Sequence, residues 1–280
     1  MRVTIVGGTG LLGKALSREW SGDEIVSLGS RDVDIRSDEQ VDEALHRYRP
    51  EWIVLAAAYT DVDGCEANRD LALDVNFLGA VRIARAAAAA GAKLLFLSTD
   101  YVFDGRKTTP YEIDDRLAPQ GAYGESKARA EVGIREILPE CCIVRTSWVF
   151  GVGGKCFPDT ILKLANTRKE LDVVSDQKGC PTYTVDLART IVQLCRKNAT
   201  GTVHVTNRGE CTWFDFAAEI VGQAGLDPVV KPTTSDKLVR LAKRPAYSVL
   251  SSASLTNYGL SMPMWQNALQ RYLLERQNSS

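Results

Sequence analysis

His46 and His204 are the only histidines of the chain, and none of its seven cysteines (Cys65, Cys141, Cys142, Cys156, Cys180, Cys195 and Cys211) belongs to a Cys-x-x-Cys pair. A zinc centre therefore lacks a ligand set, and a Ser-His-Asp or Cys-His hydrolase lacks a supporting constellation. The thiols read as buried, reduced cysteines of a cytosolic protein. Charge of one sign is missing too. With 34 basic and 35 acidic residues the net charge is −1, and no basic run offers a footprint for nucleic acid or an anionic membrane. Long apolar runs are absent, since arginines break even Leu78–Gly91, and the first residues enter a strand-like run directly. Neither a membrane span nor a signal peptide is expected, which points to the cytoplasm. No internal repeat or low-complexity tract appears. The 280 residues, 45% of them hydrophobic, suffice for a conventional core with a Rossmann unit and a modest second lobe.

What is present begins at once. Met1-Arg-Val-Thr-Ile-Val-Gly-Gly-Thr-Gly-Leu-Leu-Gly13 reads as a buried strand running into a glycine-rich turn and a helix. Gly7 and Gly10 let the backbone turn tightly and approach a phosphate, and Gly13 lets the helix pack close to the strand. Helix-terminal N–H groups then face the anion of a dinucleotide. The Gly-x-x-Gly-x-x-Gly spacing is one residue wider than Gly-x-Gly-x-x-Gly. A glycine turn in some other α/β protein is thus the competing reading, weakened by the apolar strand before it and the helical Leu12–Trp20 after it.

Strand-like runs at 2–6, 24–28, 52–55, 93–98 and 142–145 alternate with helix-like runs at 11–20, 39–48, 72–90 and 124–137. This predicts an α/β fold, a Rossmann-type doubly wound parallel sheet with helices on both faces and ligands at the carboxyl ends of its strands. Residues 1–150 are expected to form the NAD(P)-binding domain, with returns around 183–223 from the strand-like 201–205 and the helix 213–223. Residues 151–280 are expected to be mostly a smaller substrate-binding lobe, starting at the glycine turns near 151 and a helix over 159–166 and ending in loops and a terminal helix.

Three segments converge on hydride chemistry: Phe96-Leu-Ser-Thr-Asp100, Tyr123-Gly-Glu-Ser-Lys127 and Val144-Arg-Thr-Ser-Trp148. Tyr123 and Lys127, four apart on a helix, share one face. A carbonyl reductase needs a proton donor beside the hydride donor, and a phenol becomes useful near neutrality when an ammonium stabilises its phenolate. Thr99, emerging from the adjacent strand, could hold the substrate oxygen or tune the phenol. Alone, Tyr-x-x-x-Lys reads as a surface pair; it gains meaning from the glycine turn and from Thr99.

Taken with Ala56-Ala-Ala-Tyr-Thr-Asp-Val-Asp63, Ser98-Thr-Asp-Tyr-Val-Phe-Asp-Gly105, Arg145-Thr-Ser-Trp-Val-Phe-Gly151, Asp176-Gln-Lys-Gly-Cys-Pro-Thr182 and Lys243-Arg-Pro245, these segments resemble the extended short-chain dehydrogenases/reductases. Within that family they are most similar to the dTDP-4-dehydrorhamnose reductases, and the likeness runs over almost the whole chain. It implies NAD(P)H-dependent reduction of the 4-keto group of a dTDP-linked 6-deoxyhexulose. By matching position, Tyr123 is implied as proton donor, Lys127 as its partner and Thr99 as the third catalytic residue. Thr99, Asp100, Trp148 and Arg244 are implied as substrate contacts. The cofactor is implied at Gly7, Thr9, Gly10, Leu11, Leu12, Gly13, Asp34, Ile35, Ala56, Ala57, Ala58, Thr60 and Leu97, together with Tyr123 and Lys127.

Some details sharpen this expectation. Sugar-nucleotide 4,6-dehydratases place an Asp-Glu pair after the threonine, whereas this chain has Asp100-Tyr101, which favours a ketoreductase. At the end of the second strand, Leu28-Gly-Ser-Arg31 offers no acid to repel a 2′-phosphate, and Arg31 could pair with one, so NADPH is favoured over NADH. The alternative is an Arg31 that points into solvent. Arg244 suits a diphosphate clamp because a guanidinium grips phosphate oxygens bidentately, although an ordinary loop arginine is the competing reading. Pro158–Ile161 are expected near the sugar pocket with Trp148. No metal ligands are assigned, magnesium dependence stays open, and so does the oligomeric state, a homodimer included. The alternatives are a non-catalytic NADP-binding regulator, like the regulatory subunit of methionine adenosyltransferase, and a reductase of a related nucleotide keto-sugar.

Overall fold

In the computed structural model, which describes residues 1–278, the amino-terminal half alternates strand and helix as its sequence pattern demands. The order is β1 (Arg2–Val6), α1 (Leu11–Glu19), β2 (Glu24–Leu28), α2 (Asp38–Tyr48), β3 (Trp52–Leu55), α3 (Val62–Ala67), α4 (Arg69–Leu73), α5 (Gly79–Ala90), β4 (Lys93–Thr99), α6 (Ala122–Ile137) and β5 (Cys142–Thr146). There follow β6 (Val149–Phe150), α7 (Phe157–Ala165), β7 (Glu170–Val174), β8 (Lys178–Gly179), β9 (Thr182–Tyr183), α8 (Thr184–Arg196) and β10 (Gly201–His204). The chain closes with β11 (Cys211–Thr212), α9 (Trp213–Gln223), β12 (Val229–Thr233), α10 (Ala253–Thr256) and α11 (Trp265–Asn278).

Six strands form one parallel sheet in the order β10-β5-β4-β3-β1-β2. Both faces are apolar because side chains alternate along each strand. Val3, Ile5, Val54, Leu95, Leu97 and Val144 pack under α1 and α8, with Leu16, Leu187 and Ile191. Val6, Ile53, Leu55, Leu94, Phe96 and Ile143 pack under α2, α5 and α6, with Leu45, Ile83 and Ile134. The chain runs from β1 to β2 on one side and then returns to place β3 on the other. That reversal opens a crevice between the carboxyl ends of β1 and β3, where a doubly wound sheet receives its ligand.

Three expectations need correcting. The helix expected over 72–90 starts earlier and carries a π-helical turn at Asp74–Leu78 between α4 and α5. The extra residue in that turn delivers Asn76 to the interior, where Oδ1 accepts from the Tyr59 N–H at 2.7 Å and Nδ2 donates to the Tyr59 carbonyl and to Ser126 Oγ, each at 3.0 Å. The loop after β3 is thereby pinned to α6. The helix over 213–223, expected to return to the sheet, packs instead with α7, α11 and β7 around Phe150, Tyr183, Phe216 and Tyr272. Its own apolar face is Phe216, Ala217 and Ile220, which matches that aromatic core. The elements that do return are α8, against α1, and β10, the edge strand beside β5. Leu255 and Met262, expected among substrate-lobe loops, also join the core under α1 and α8. Ser279 and Ser280, the end of the expected carboxyl-terminal lobe, lie outside the described residues.

Candidate active site

The β1–α1 turn is built for close approach. Gly7 has φ +94°, and a Cβ on it would stand 2.4 Å from the Ala57 nitrogen; one on Gly13 would stand 2.2 Å from the Gly7 carbonyl oxygen. Both clashes are with backbone, so neither position accepts a side chain without moving the turn. Helix α1 begins at Leu11 with Gly10 as its cap and no side-chain cap bond, which leaves first-turn N–H groups for an external acceptor. Gly7, Thr9, Gly10, Asp34, Ile35, Ala56, Ala57 and Ala58 line one hollow of about 450 Å³. A second of about 460 Å³ shares Gly7, Gly10, Ala56 and Ala58 with it and adds Leu11, Leu12, Gly13, Thr60, Leu97, Thr99, Asp100, Tyr123, Lys127 and Trp148. The cleft thus joins the glycine turn to the Tyr-Lys pair, and its glycine cradle and uncapped helix fit a dinucleotide.

Arg31 is not in this cleft. The turn after β2 closes through Asp32 N–H and Val33 N–H to the Gly29 carbonyl, and the Asp32 carboxylate accepts from the Gly29 N–H at 2.7 Å. This coil leaves Arg31 exposed. The arginine that lines the cleft is Arg36, bound to the Asp34 carboxylate with Nη2–Oδ2 2.7 Å. That pairing, reinforced by the Arg36 N–H, holds the Asp34 carboxyl below its usual range.

At the other end of the cleft, Thr99 ends β4. Its hydroxyl donates to Asp100 Oδ1 at 3.0 Å and accepts from the Tyr101 N–H at 3.2 Å. Asp100 is buried, and its Oδ2 has no hydrogen-bond partner. Burial pushes its carboxyl up to about 7 against the opposing Ser248 and Thr99 hydroxyls. Tyr123 and Lys127 come from the first turns of α6. Burial raises the phenol of Tyr123 above its ordinary value, with the Asp100 charge adding to the rise and the Thr99 hydroxyl opposing it. Lys127 lies 4.0 Å above the Phe96 ring, and burial pulls its ammonium down to about 7. The bare site thus holds a phenol that resists ionisation beside a lysine poised near neutrality.

Trp148 adopts φ +46°, a conformation costly for a bulky residue that the surroundings hold in place. Its ring stacks on Trp213 at 3.5 Å and 7°, and Gly179 gives it room, since a Cβ there would stand 2.6 Å from the indole. Trp213 and Lys155 also line the cleft, whereas Pro158 and Ile161 are buried in the carboxyl-terminal core. Trp213 carried no signal in the sequence beyond its place at a helix start; only the packing of α9 brings it to Trp148. Arg244 lies outside the cleft. Its Nη2 and Nη1 donate to Asp63 Oδ2 and Oδ1 at 2.9 and 3.2 Å, and Arg240 and the Ala242 N–H bind the same carboxylate. It lines a neighbouring groove with Arg106, Gln120, Gln177 and Lys243, and that groove meets Tyr101 and Tyr123 through Gln120 and Lys243. Among the described residues, no group of three or more His, Cys, Asp or Glu side chains is placed to hold a metal ion, and no helix is long and apolar enough to cross a membrane.

A family model described as the RmlD substrate binding domain matches residues 1–278. The spore coat polysaccharide biosynthesis protein SpsK of Bacillus subtilis is 40% identical over 280 residues, covering 99% of each chain. A dTDP-4-dehydrorhamnose reductase of Mycobacterium tuberculosis is 38% identical over 289 residues, with 100% of this chain and 94% of that one covered. The crystal structure of dTDP-4-dehydrorhamnose reductase from Bacillus anthracis in complex with NADP superposes with a TM-score of 0.96 at 39% identity, covering 98% of this chain and 99% of that one.

Proposed function

The chain belongs to the RmlD substrate binding domain family, and from that premise we propose that it reduces the 4-keto group of dTDP-4-dehydro-6-deoxy-L-mannose with NADPH, giving dTDP-L-rhamnose. The observation that carries this reading is the single cleft running from the glycine cradle to Thr99, Tyr123 and Lys127. When bound there, the reduced nicotinamide supplies a hydride. Gly7, Gly10 and Gly13 with the α1 N-terminus would hold the pyrophosphate, Thr9, Leu11, Leu12, Ala56–Ala58, Thr60 and Leu97 would shape the walls around the cofactor, and Asp34 and Ile35 would hold its adenine end.

The Tyr123 phenol gives its proton to the carbonyl oxygen as charge develops on it. The Lys127 ammonium lowers the cost of the phenolate left behind, a task it performs only while charged. Thr99 and Asp100 orient the reacting end of the sugar, and the Trp148–Trp213 stack offers a flat apolar face to its ring. Arg244 acts at one remove: latched to Asp63, it fixes the 240–245 segment along the groove in which the nucleotide would lie. The domain division belongs to the same reading, with the sheet binding cofactor and the aromatic carboxyl-terminal core presenting the sugar. We place the enzyme in the cytoplasm, where its thiols remain reduced.

Gly13→Ala is expected to weaken NADPH binding about tenfold or more, because the new methyl meets backbone that cannot yield without opening the cradle. A fluorescence titration of NADPH checks it. The function itself is tested by NADPH oxidation with dTDP-4-dehydro-6-deoxy-L-mannose, beside NADH and other dTDP-linked 4-keto-sugars. Turnover selective for the first substrate supports the reading. Turnover only with another keto-sugar moves the assignment to a related reductase, and NADPH binding without oxidation moves it to a regulator.

A further inference from the structure

Beneath the cleft lies a buried charged cluster that the mechanism above does not use. Glu131 sits on α6 one turn beyond Lys127 and two beyond Tyr123, and its side chain is wholly buried. Its Oε1 accepts from Ser98 Oγ at 2.5 Å and from Arg145 Nε at 3.0 Å, and its Oε2 accepts from Arg145 Nη2 at 2.7 Å. Arg145 Nη1 donates onward to the Ile113 carbonyl at 3.0 Å and lies 3.3 Å from His204 Nε2. Burial, reinforced by the Arg145 charge, pushes His204 down to about 3, so its neutral ring accepts this bond.

The placement of these residues gives the cluster its meaning. Ser98 directly precedes Thr99 on β4, Arg145 precedes Thr146 at the end of β5 and the Trp148 turn, and His204 ends β10. One carboxylate therefore ties the helix that carries Tyr123 and Lys127 to β4, which ends at Thr99, and to β5, which leads into the Trp148 turn. Glu131 on α6 faces Lys127, and Asp100 after β4 and Cys65 on α3 face the Tyr123 phenol, with Tyr101 also lining the cleft; Arg145 on β5 and His204 on β10 stand behind Glu131. Asp100 is itself driven toward its neutral form by burial. Glu131 is the charge that opposes the loss of the Lys127 proton.

We propose that Glu131 is a positioning residue: pinned by Ser98 and Arg145, its carboxylate keeps α6 in register with β4 and keeps Lys127 charged beside Tyr123. This rests on the reductase reading of the cleft. In Glu131→Gln the shape remains and the charge goes, so Lys127 loses its proton more easily. The alkaline limb of the kcat/KM profile is expected to move to lower pH by about one unit. The Lys127 resonance of the apoprotein, followed by NMR with 13C-labelled lysine and assigned with Lys127→Met, is expected to titrate at correspondingly lower pH. A role in packing alone would lower activity equally at every pH and leave both midpoints in place, which overturns the proposal. Should Glu131→Gln not fold, Ser98→Ala removes a single hydrogen bond to the carboxylate. It is expected to lower kcat severalfold with the KM for NADPH unchanged, and an unchanged kcat overturns the proposal. The NMR titration needs no turnover, so a shift in Lys127 without reduction of the keto-sugar sinks the reductase reading alone. Reduction of the keto-sugar without a shift sinks the role of Glu131.

Discussion

Tyr123→Phe is expected to lower kcat by about 10²- to 10⁴-fold while NADPH binds as before, the range expected when a positioned general acid is lost. The substitution deletes one oxygen from a ring whose edge packs against Tyr101 at 5.9 Å, so the ring contact survives. The glycine cradle and the Ala56–Ala58 wall lie elsewhere in the cleft and do not change. Stopped-flow turnover together with NADPH binding separates the two effects. A fall in binding equal to the fall in kcat would mean that the phenol builds the site rather than reacting in it.

Arg145→Met is expected to cost about 3–5 kcal/mol of stability, the range for stripping one partner from a buried ion pair. The guanidinium and the Glu131 carboxylate are both almost completely shielded from water, and Arg145 supplies Glu131 with its charge partner and most of its hydrogen bonds. Without it the carboxylate either stays charged in a dry interior or takes up a proton, and both states are costly. Tm is expected to fall by roughly 10 °C. The double substitution Glu131→Gln with Arg145→Met removes the charge together with its partner and is expected to recover part of that loss. Thermal melts of the two variants check this, and a double variant less stable than Arg145→Met alone would contradict it.

The strand-helix alternation and the glycine turn were legible because each depends on local chemistry: short continuous apolar runs, helix-forming stretches, and glycines where a Cβ has no room. The Tyr123–Lys127 pair was legible for the same reason, since a four-residue helical spacing fixes a shared face. What the sequence could not reveal depends on the coming together of distant segments. Asn76 reads as an ordinary helical residue until a π-helical turn directs it inward onto Tyr59. Trp213 joins Trp148 only because α9 packs in the aromatic carboxyl-terminal core rather than on the sheet. Arg31 and Arg244 show the converse limit. Each had the right chemistry for a phosphate, but a backbone turn sends one into solvent and the Asp63 carboxylate engages the other. Glu131 and Arg145 were hidden in a helix and a strand, and their pairing appears only when α6 lies across β4 and β5.

The most direct test of the account is the fate of the hydride. With NADPH deuterated at nicotinamide C4, in the position that is transferred, and dTDP-4-dehydro-6-deoxy-L-mannose, the account predicts dTDP-L-rhamnose carrying deuterium at sugar C4, seen by NMR of the product. Deuterium at any other carbon, or none in the sugar while NADPH is consumed, would contradict it.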